Sequence, residues 1–195
     1  MASSIWTQLS LLSLALMAAL GLTFGAASPA DASWFIKFEG LDGESLDKDH
    51  AGWSDLASFG QALHKPGSGS PQSPGHGAMV AEDFSVEKVL DRSSPLLGEA
   101  SCGGRSFATV TIEACEDPGE HEDPHCYLRY ELQNVFVSNY QVNGDAAGGV
   151  PLEELSFSYE RIRIVYYPAD ASQPPVEASL GKTCHPEGAE GYIAH

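Results

Sequence analysis

The sequence predicts a mainly β protein, a small antiparallel β-barrel or orthogonal sandwich with one short α-helix at its side. Apolar and polar residues alternate over short stretches of the chain, which is the period of strands with one buried face. Two long stretches, residues 127–142 and 155–166, also change the phase of this alternation in their middle. Long strands that bend midway are what a sheet needs to fold over itself into a barrel.

Four predicted strands precede the first long stretch, and one of them, within residues 84–97, leads into a helix. Residues 34–39 form the first, with the alternating sets Trp34, Ile36, Phe38 and Phe35, Lys37, Glu39. A second strand is predicted over residues 54–63. Residues 65–78 are too rich in Gly, Pro and Ser for regular structure and are predicted to be a loop. Residues 107–114 form a further strand, with Val110, Ile112 and Ala114 on one side.

Between these strands, residues 84–97 predict a strand that leads into a capped helix. Phe84 and Val86 alternate with polar neighbours, and Lys88 occupies the next position of the same alternation. Ser94 is predicted to be the N-cap, and Pro95 suits the first helical position because it has no N–H to leave unpaired. The helix is expected to end at Gly103 and Gly104.

In each of the two long stretches, the apolar residues change from one alternating set to the other midway, so that both halves can face the same core. In the first, Leu128, Tyr130 and Leu132 give way to Val135 and Val137, which predicts a bulge or a bend near residues 133–134. The second stretch changes phase in the same way, between the sets Leu155, Phe157, Tyr159 and Ile162, Ile164, Tyr166.

Four segments together resemble the haemolysin-coregulated protein family, the inner-tube subunits of type VI secretion systems. They are residues 34–45 (WFIKFEGLDGES), 84–97 (FSVEKVLDRSSPLL), 127–144 and 155–168. In order and spacing they span most of residues 34–180. The resemblance implies a barrel with a short helix at its side and a non-enzymatic protein that forms rings, with a channel for small cargo proteins. It also implies that residues 47–50 form an ordinary surface loop.

The first 32 residues are interpreted as an export signal. Residues 9–27 are nearly continuously apolar, and Ala30, Asp31 and Ala32 form an A-x-A signature that predicts cleavage between Ala32 and Ser33. An uncleaved membrane anchor is the alternative, since the apolar run approaches the ~18 residues that span a bilayer. The rest, residues 33–195, is expected to be one periplasmic or extracellular domain without stable membrane insertion.

Charge and cysteine content restrict the partners and the compartment. A formal net charge of -17 argues against binding to nucleic acid or to an anionic membrane surface. Cysteines in an exported chain suggest disulfides, and the four here allow three connectivities. Cys115 ends one predicted strand and Cys126 begins the next, so a hairpin favours their pairing and leaves Cys102 with Cys184.

An acidic stretch between Cys115 and Cys126 contains the side chains most suited to a cation. These weak metal candidates are Asp117, Glu120, His121, Asp123 and His125. Their spacing matches no known calcium or zinc signature, so a solvated hairpin tip without metal is preferred. No nucleophile, phosphate loop or metalloprotease motif accompanies the histidines, so neither an enzyme nor a cofactor is predicted.

The late strand carries the candidate subunit interface. Arg161 and Arg163 are expected to pair with acidic residues of a neighbouring copy, and Tyr166 to contact it at the strand edge. The sequence therefore predicts an exported, ring-forming structural protein. The alternative is a monomeric, disulfide-stapled periplasmic or extracellular binding module that keeps only the fold.

Overall fold

The computed structural model of the chain describes residues 31–64, 80–117, 125–144 and 149–182. Strands dominate these ranges, with one helix between them. In chain order the elements are β1 (Asp31–Phe38), β2 (Ser54–Gly60), β3 (Leu63–His64), β4 (Val80–Ala81), β5 (Phe84–Val89), α1 (Ser94–Gly103), β6 (Ser106–Asp117), β7 (His125–Asn143), β8 (Leu152–Ser158), β9 (Arg161–Tyr166) and β10 (Val176–Gly181). In this part of the chain no helix is both long enough and apolar enough to cross a membrane.

Six antiparallel strands close into a barrel in the order β7-β6-β1-β2-β5-β8. The barrel closes because β8 pairs with β5 along one edge and with β7 along the other. β9 pairs with the first half of β7, and β10 pairs with β9. These two strands continue the sheet past the barrel, and we call them the β9–β10 extension. The predicted mainly β barrel with one short helix is confirmed.

The long strand β7 belongs to both the barrel and the extension. Its residues 128–133 pair with β9, and its residues 136–143 pair with β8. Between these segments Asn134 has a φ of 51°, in the left-handed region that Asn tolerates better than most residues. Leu132 and Val135, on either side of Asn134, are both fully buried. The change of phase predicted near residues 133–134 is therefore confirmed.

Apolar side chains fill the interior of the barrel. The ring of Phe38 packs against Phe107 and Phe157, with ring centroids 5.3 and 5.6 Å apart. Leu97 of α1 is fully buried and joins this core. The other large apolar side chains with less than 2 % exposure are Phe84, Ile36, Ile112, Leu132, Leu155 and Ile162. Close packing of this kind makes the core sensitive to changes in side-chain volume.

The second long stretch forms two strands rather than one bent strand. β8 ends at Ser158 and β9 begins at Arg161, and between them the Glu160 N–H donates to the Gln133 carbonyl at 3.0 Å. Tyr159 is buried at this turn, and Ile162 is buried after it. Tyr166 is 49 % exposed, so its expected place on the core face is wrong. The sheet has left the barrel at that point, and the described residues leave the Tyr166 side of the strand end open, whereas Val165 on the other face is buried.

Three further local predictions also need correction: the extent of one strand, the burial of Phe35 and the start of the helix. The predicted strand over residues 54–63 divides at Gly60, where its pairing with β5 ends, and Leu63–His64 pairs separately with β4. Phe35, expected on the polar face of β1, is only 6 % exposed. The helix begins one residue earlier than predicted, because Ser93 rather than Ser94 is its N-cap, and Ser93 makes no side-chain capping hydrogen bond. The helix ends at Gly103 and Gly104, as predicted.

Ser94 does not cap the helix because its hydroxyl belongs to a buried polar network around Lys88. The Lys88 ammonium is fully buried, 2.7 Å from a carboxylate oxygen of Glu153 and 2.8 Å from one of Asp91. The Ser94 hydroxyl donates to Glu153 at 2.7 Å, and the Tyr140 hydroxyl donates to its other oxygen at 2.6 Å. This Lys88 network ties α1 to β5, β7 and β8, and its charges are paired and hydrogen-bonded, as burial requires.

We expect the contribution of Asp91 to stability to disappear in acid. Burial raises the pKa of Asp91, but hydrogen bonds from Lys88 and from serine hydroxyls outweigh burial and hold the pKa below its ordinary value of 3.8. A carboxyl group whose pKa is lower in the folded state stabilises fully above its unfolded pKa and loses that effect as the pH falls through its folded pKa. Asp91→Asn should therefore cost about 1–3 kcal/mol at pH 7.

Urea unfolding of the wild type and the Asp91→Asn variant at neutral pH and at pH values from about 5 down to 2 measures this loss. The stability difference between them should shrink as the solution becomes more acid than the unfolded pKa of Asp91. A difference that stays constant across this range would contradict the role given to the Asp91 carboxylate.

Candidate functional site

The three predicted interface residues lie on β9, but on two different faces of it. Tyr166 stands directly opposite Val176 of β10, and directly opposite residues share a face. Arg161 and Arg163 alternate with this set and point to the other face. The interface predicted from Arg161, Arg163 and Tyr166 together is therefore not one continuous surface on β9.

The arginine face is a network of charges within the chain. Arg163 donates to Glu131 of β7 at 3.0 Å and to Glu177 of β10 at 2.5 Å. Arg161 donates to the Gln133 side chain at 3.3 Å. Because these pairs are largely exposed to solvent, each contributes little to stability. The two carboxylates do neutralise Arg163 within one chain, although this arginine was expected to meet a neighbour.

The opposite face of the β9–β10 extension is apolar and continues the core outward. Ile162 is fully buried, Ile164 is half-buried, and Tyr166 is 49 % exposed. On β10, Val176 beside Tyr166 is 65 % exposed. This pair at the open end of the extension, which we call the Tyr166–Val176 patch, is suited to contact another protein surface.

A second cluster lies on the outer face of β1, beneath the loop that joins β1 to β2. His50 of this loop stacks on Phe35, with ring centroids 3.8 Å apart, and meets the edge of Trp53. Two backbone hydrogen bonds, from the Gly43 N–H to the Gly52 carbonyl and from the Ser45 N–H to the Trp53 carbonyl, hold the two arms of the loop together. His50 is only 4 % exposed, so the ordinary surface loop implied by the resemblance is wrong at this residue.

Both nitrogens of the His50 ring meet carboxylates. Nδ1 lies 2.6 Å from Asp47, and Nε2 lies 2.8 Å from Glu113 of β6. Burial raises the pKa of Asp47, but hydrogen bonds from the His50 ring and from backbone N–H groups outweigh burial and leave it lowered. The other oxygen of Glu113 accepts a hydrogen bond from Arg129 Nε at 2.5 Å.

The disulfide between Cys115 and Cys126 completes this cluster. It joins neighbouring positions of β6 and β7, as the hairpin argument proposed, with an S–S distance of 2.00 Å. His50 Nε2 lies 3.9 Å from one sulfur and 4.0 Å from the other. We call His50, Glu113, Cys115 and Cys126 the His50 cluster. The sequence carries no signal for it, because the pairing of β1 with β6 brings together residues more than sixty positions apart.

Several predicted site residues fall at or beyond the limits of the described chain. Of the weak metal candidates, Glu120, His121 and Asp123 lie outside the described residues. Asp117 ends β6, and His125 begins β7 with Nε2 3.2 Å from the Tyr167 carbonyl. Cys184 also lies outside them, while Cys102 is exposed near the end of α1, so their pairing stays a prediction.

Comparison with known proteins places the chain in a family. The family model described as "Type VI secretion system effector, Hcp" matches residues 35–166. That range contains the barrel strands β2, β5, β6, β7 and β8 in full and the second half of β1. No curated protein sequence matches the chain.

Solved structures agree with the family match. A type six secretion system protein superposes with a TM-score of 0.67 at 26% identity, over 77% of this chain and 96% of that one. Hcp1 from Salmonella typhimurium gives a TM-score of 0.62 at 19% identity, over 78% and 95%. A type VI secretion system effector from Yersinia pestis gives 0.61 at 20%, over 76% and 98%. The chain belongs to the Hcp family of type VI secretion system effectors.

Proposed function

We propose that this chain is a non-enzymatic subunit that assembles with copies of itself into rings, and that these rings stack into a tube. Members of the Hcp family form hexameric rings that stack in this way, and the family is structural rather than enzymatic. The packed interior of the barrel supports the same function, because its centre is filled by phenyl rings rather than shaped to hold a ligand.

The Tyr166–Val176 patch carries the proposal. Its two side chains lie at the open end of a sheet that continues past the barrel, and both are about half exposed or more in the single chain. A second copy packed against this patch would remove both side chains from water. Burial of apolar area is the main favourable term in most association between protein subunits.

The negative net charge of the chain should make this assembly depend on salt. Each chain has a formal net charge of -17, so neighbouring subunits repel one another at low ionic strength. Salt at about 0.15 M or above screens exposed charges that are more than ~8 Å apart. Rings should therefore be more frequent in higher salt.

Negative-stain imaging of the purified chain at low and high salt tests this function. Closed rings or short stacks of rings are the expected result. Separate particles of the size of one barrel, at high concentration and in both salt conditions, would instead favour the monomeric binding module. That alternative depends on the acidic stretch before Cys126, and no contact of the described residues favours it.

We also propose that the chain is exported and loses its first 32 residues. The Cys115–Cys126 disulfide supports export, because disulfides form and persist in oxidising compartments. Ala32 and Ser33 lie within β1, opposite Glu116 and Cys115 of β6. Cleavage between them would shorten β1 by two residues and keep its pairing from Ser33 onward.

Mass spectrometry of the protein taken from the periplasm or the culture medium tests the export proposal. The expected mature chain begins at Ser33. Replacing Ala30 and Ala32 with bulky residues, such as leucine, should block processing and leave the leader attached, because small residues define the cleavage site. An intact leader on the wild-type protein, found only in the cytoplasm, would contradict export.

A further inference from the structure

We propose that the His50 cluster becomes a zinc site when the Cys115–Cys126 disulfide is reduced. The ligands would be the thiolates of Cys115 and Cys126, His50 Nε2 and a carboxylate oxygen of Glu113. One ligand atom from each of these residues already lies within 4.8 Å of the others. Two cysteines with nitrogen and oxygen ligands form a donor set that suits zinc, whereas calcium prefers oxygen ligands alone.

The distances in the cluster approach those of a tetrahedral site. Zn–S bonds of about 2.3 Å and Zn–N bonds of about 2.0 Å place a sulfur and a nitrogen ~3.5 Å apart. His50 Nε2 is already 3.9 and 4.0 Å from the two sulfurs. Reduction frees the sulfurs to separate from 2.00 Å to the ~3.8 Å that two zinc ligands need. The carboxylate of Glu113 must withdraw slightly from Nε2, since they are now 2.8 Å apart.

The contacts around the cluster are those of a prepared metal site. Asp47 lies 2.6 Å from His50 Nδ1 and can accept its hydrogen, which would leave Nε2 free to bind a metal between Glu113 and the two sulfurs. This carboxylate–histidine arrangement is the usual outer contact of a zinc-bound histidine. Glu113 is in turn held by Arg129. The charges of the two thiolates, Glu113, Arg129 and a divalent cation sum to zero. The remaining charge of the site is that of Asp47, whose side chain is about one-third exposed to solvent, so no fully buried charge stays uncompensated.

Burial and access also fit a metal ion. His50, Glu113 and Cys115 are each less than 7 % exposed, which protects thiolate ligands from solvent. A cavity of about 110 Å³, lined by Asp47, His50 and both cysteines, reaches the cluster from one side. A zinc ion can therefore enter without opening the barrel.

The chemistry requires a thiol reductant. A dithiol gives two electrons to the Cys115–Cys126 bond, the S–S bond breaks, and the reductant becomes a disulfide while two protein thiols form. Zinc then displaces the two thiol protons to solvent. The β6–β7 hairpin is consequently cross-linked in both redox states, by the disulfide in an oxidising compartment and by zinc in a reducing one.

Titration with Co²⁺, which occupies zinc sites, tests this proposal. The protein carries the substitutions C102S and C184S, so that only Cys115 and Cys126 can supply thiol ligands. The reduced protein should bind one Co²⁺ per chain with thiolate-to-metal absorption, and Zn²⁺ should displace it. His50→Ala should weaken binding at least 10-fold, and Asp47→Asn by about 10–100-fold. The matched control His64→Ala, an exposed histidine on β3, should leave binding unchanged.

Far-UV circular dichroism of each reduced variant separates loss of the site from loss of the fold. The proposal is overturned if the folded, reduced protein binds no Co²⁺. Equal binding by the oxidised protein, or binding unchanged by His50→Ala, would also overturn it, because the metal would then sit elsewhere, for example in the acidic stretch. These readouts need only the single chain, so they do not depend on whether it assembles.

Discussion

Replacing Glu153 with alanine is expected to lower the free energy of unfolding by about 3–5 kcal/mol, because it leaves a buried cation without its main partner. Lys88 and Glu153 are both fully buried, and their charged atoms are 2.7 Å apart. The substitution also removes the acceptor for the hydroxyls of Ser94 and Tyr140. Asp91 remains beside Lys88, 2.8 Å away, but it cannot fill the space that Glu153 occupied.

Urea unfolding at pH 7 measures this loss, and a neighbouring residue provides the control. Glu154 follows Glu153 on β8 but points to the other face, where it accepts a hydrogen bond from Asn143 near the surface. Glu154→Ala should cost less than about 1 kcal/mol. Equal costs for the two alanine variants would show that the Lys88 network does not stabilise the fold as described. Glu153→Gln, which keeps the shape but not the charge, should fall between them.

Replacing Tyr166 and Val176 together with glutamate is expected to abolish assembly and leave the barrel folded. Both side chains are largely open to water in the single chain, so their replacement should change the thermal midpoint by only a few degrees. In an assembled ring the new carboxylates would be buried without partners, at a cost of about 3–5 kcal/mol each. Subunit affinity should therefore fall at least ~100-fold.

The matched control for this double variant is Val150→Glu. Val150 is 62 % exposed and precedes β8, outside the β9–β10 extension. It should assemble like the wild type, by both light scattering and negative-stain imaging. Unimpaired assembly of the Tyr166→Glu, Val176→Glu variant would show that the subunits meet through some other surface.

The barrel was predictable because its main signals are local. The alternation in residues 107–114 and the change of phase near Asn134 both follow from which face of a strand is buried, and the structure has both. The split between β8 and β9 was harder to predict from the sequence. Its cause is the turn at Tyr159 and Glu160, whose hydrogen bond to Gln133 depends on a residue of another strand. Alternation alone cannot distinguish a bulge from a turn that ends one strand and begins another.

The functional surfaces were harder to predict because they depend on contacts between distant residues. Ser94 looked like a helix cap, since local rules cannot show that Glu153 takes its hydroxyl. His50 looked like a loop residue, since nothing in the sequence near it points to Cys115. Arg163 looked available to a neighbour, but acidic residues of the adjacent strands already bind it. In each case the decisive partner is supplied by the closed sheet.

The native mass of the purified chain, measured by light scattering over a wide range of concentrations, tests the assembly function most directly. The expected value is the mass of a closed ring, six copies as in the Hcp family, with higher multiples where rings stack. The mass of one chain at every concentration, in high as well as low salt, would contradict the assembly function and favour a monomeric binding module.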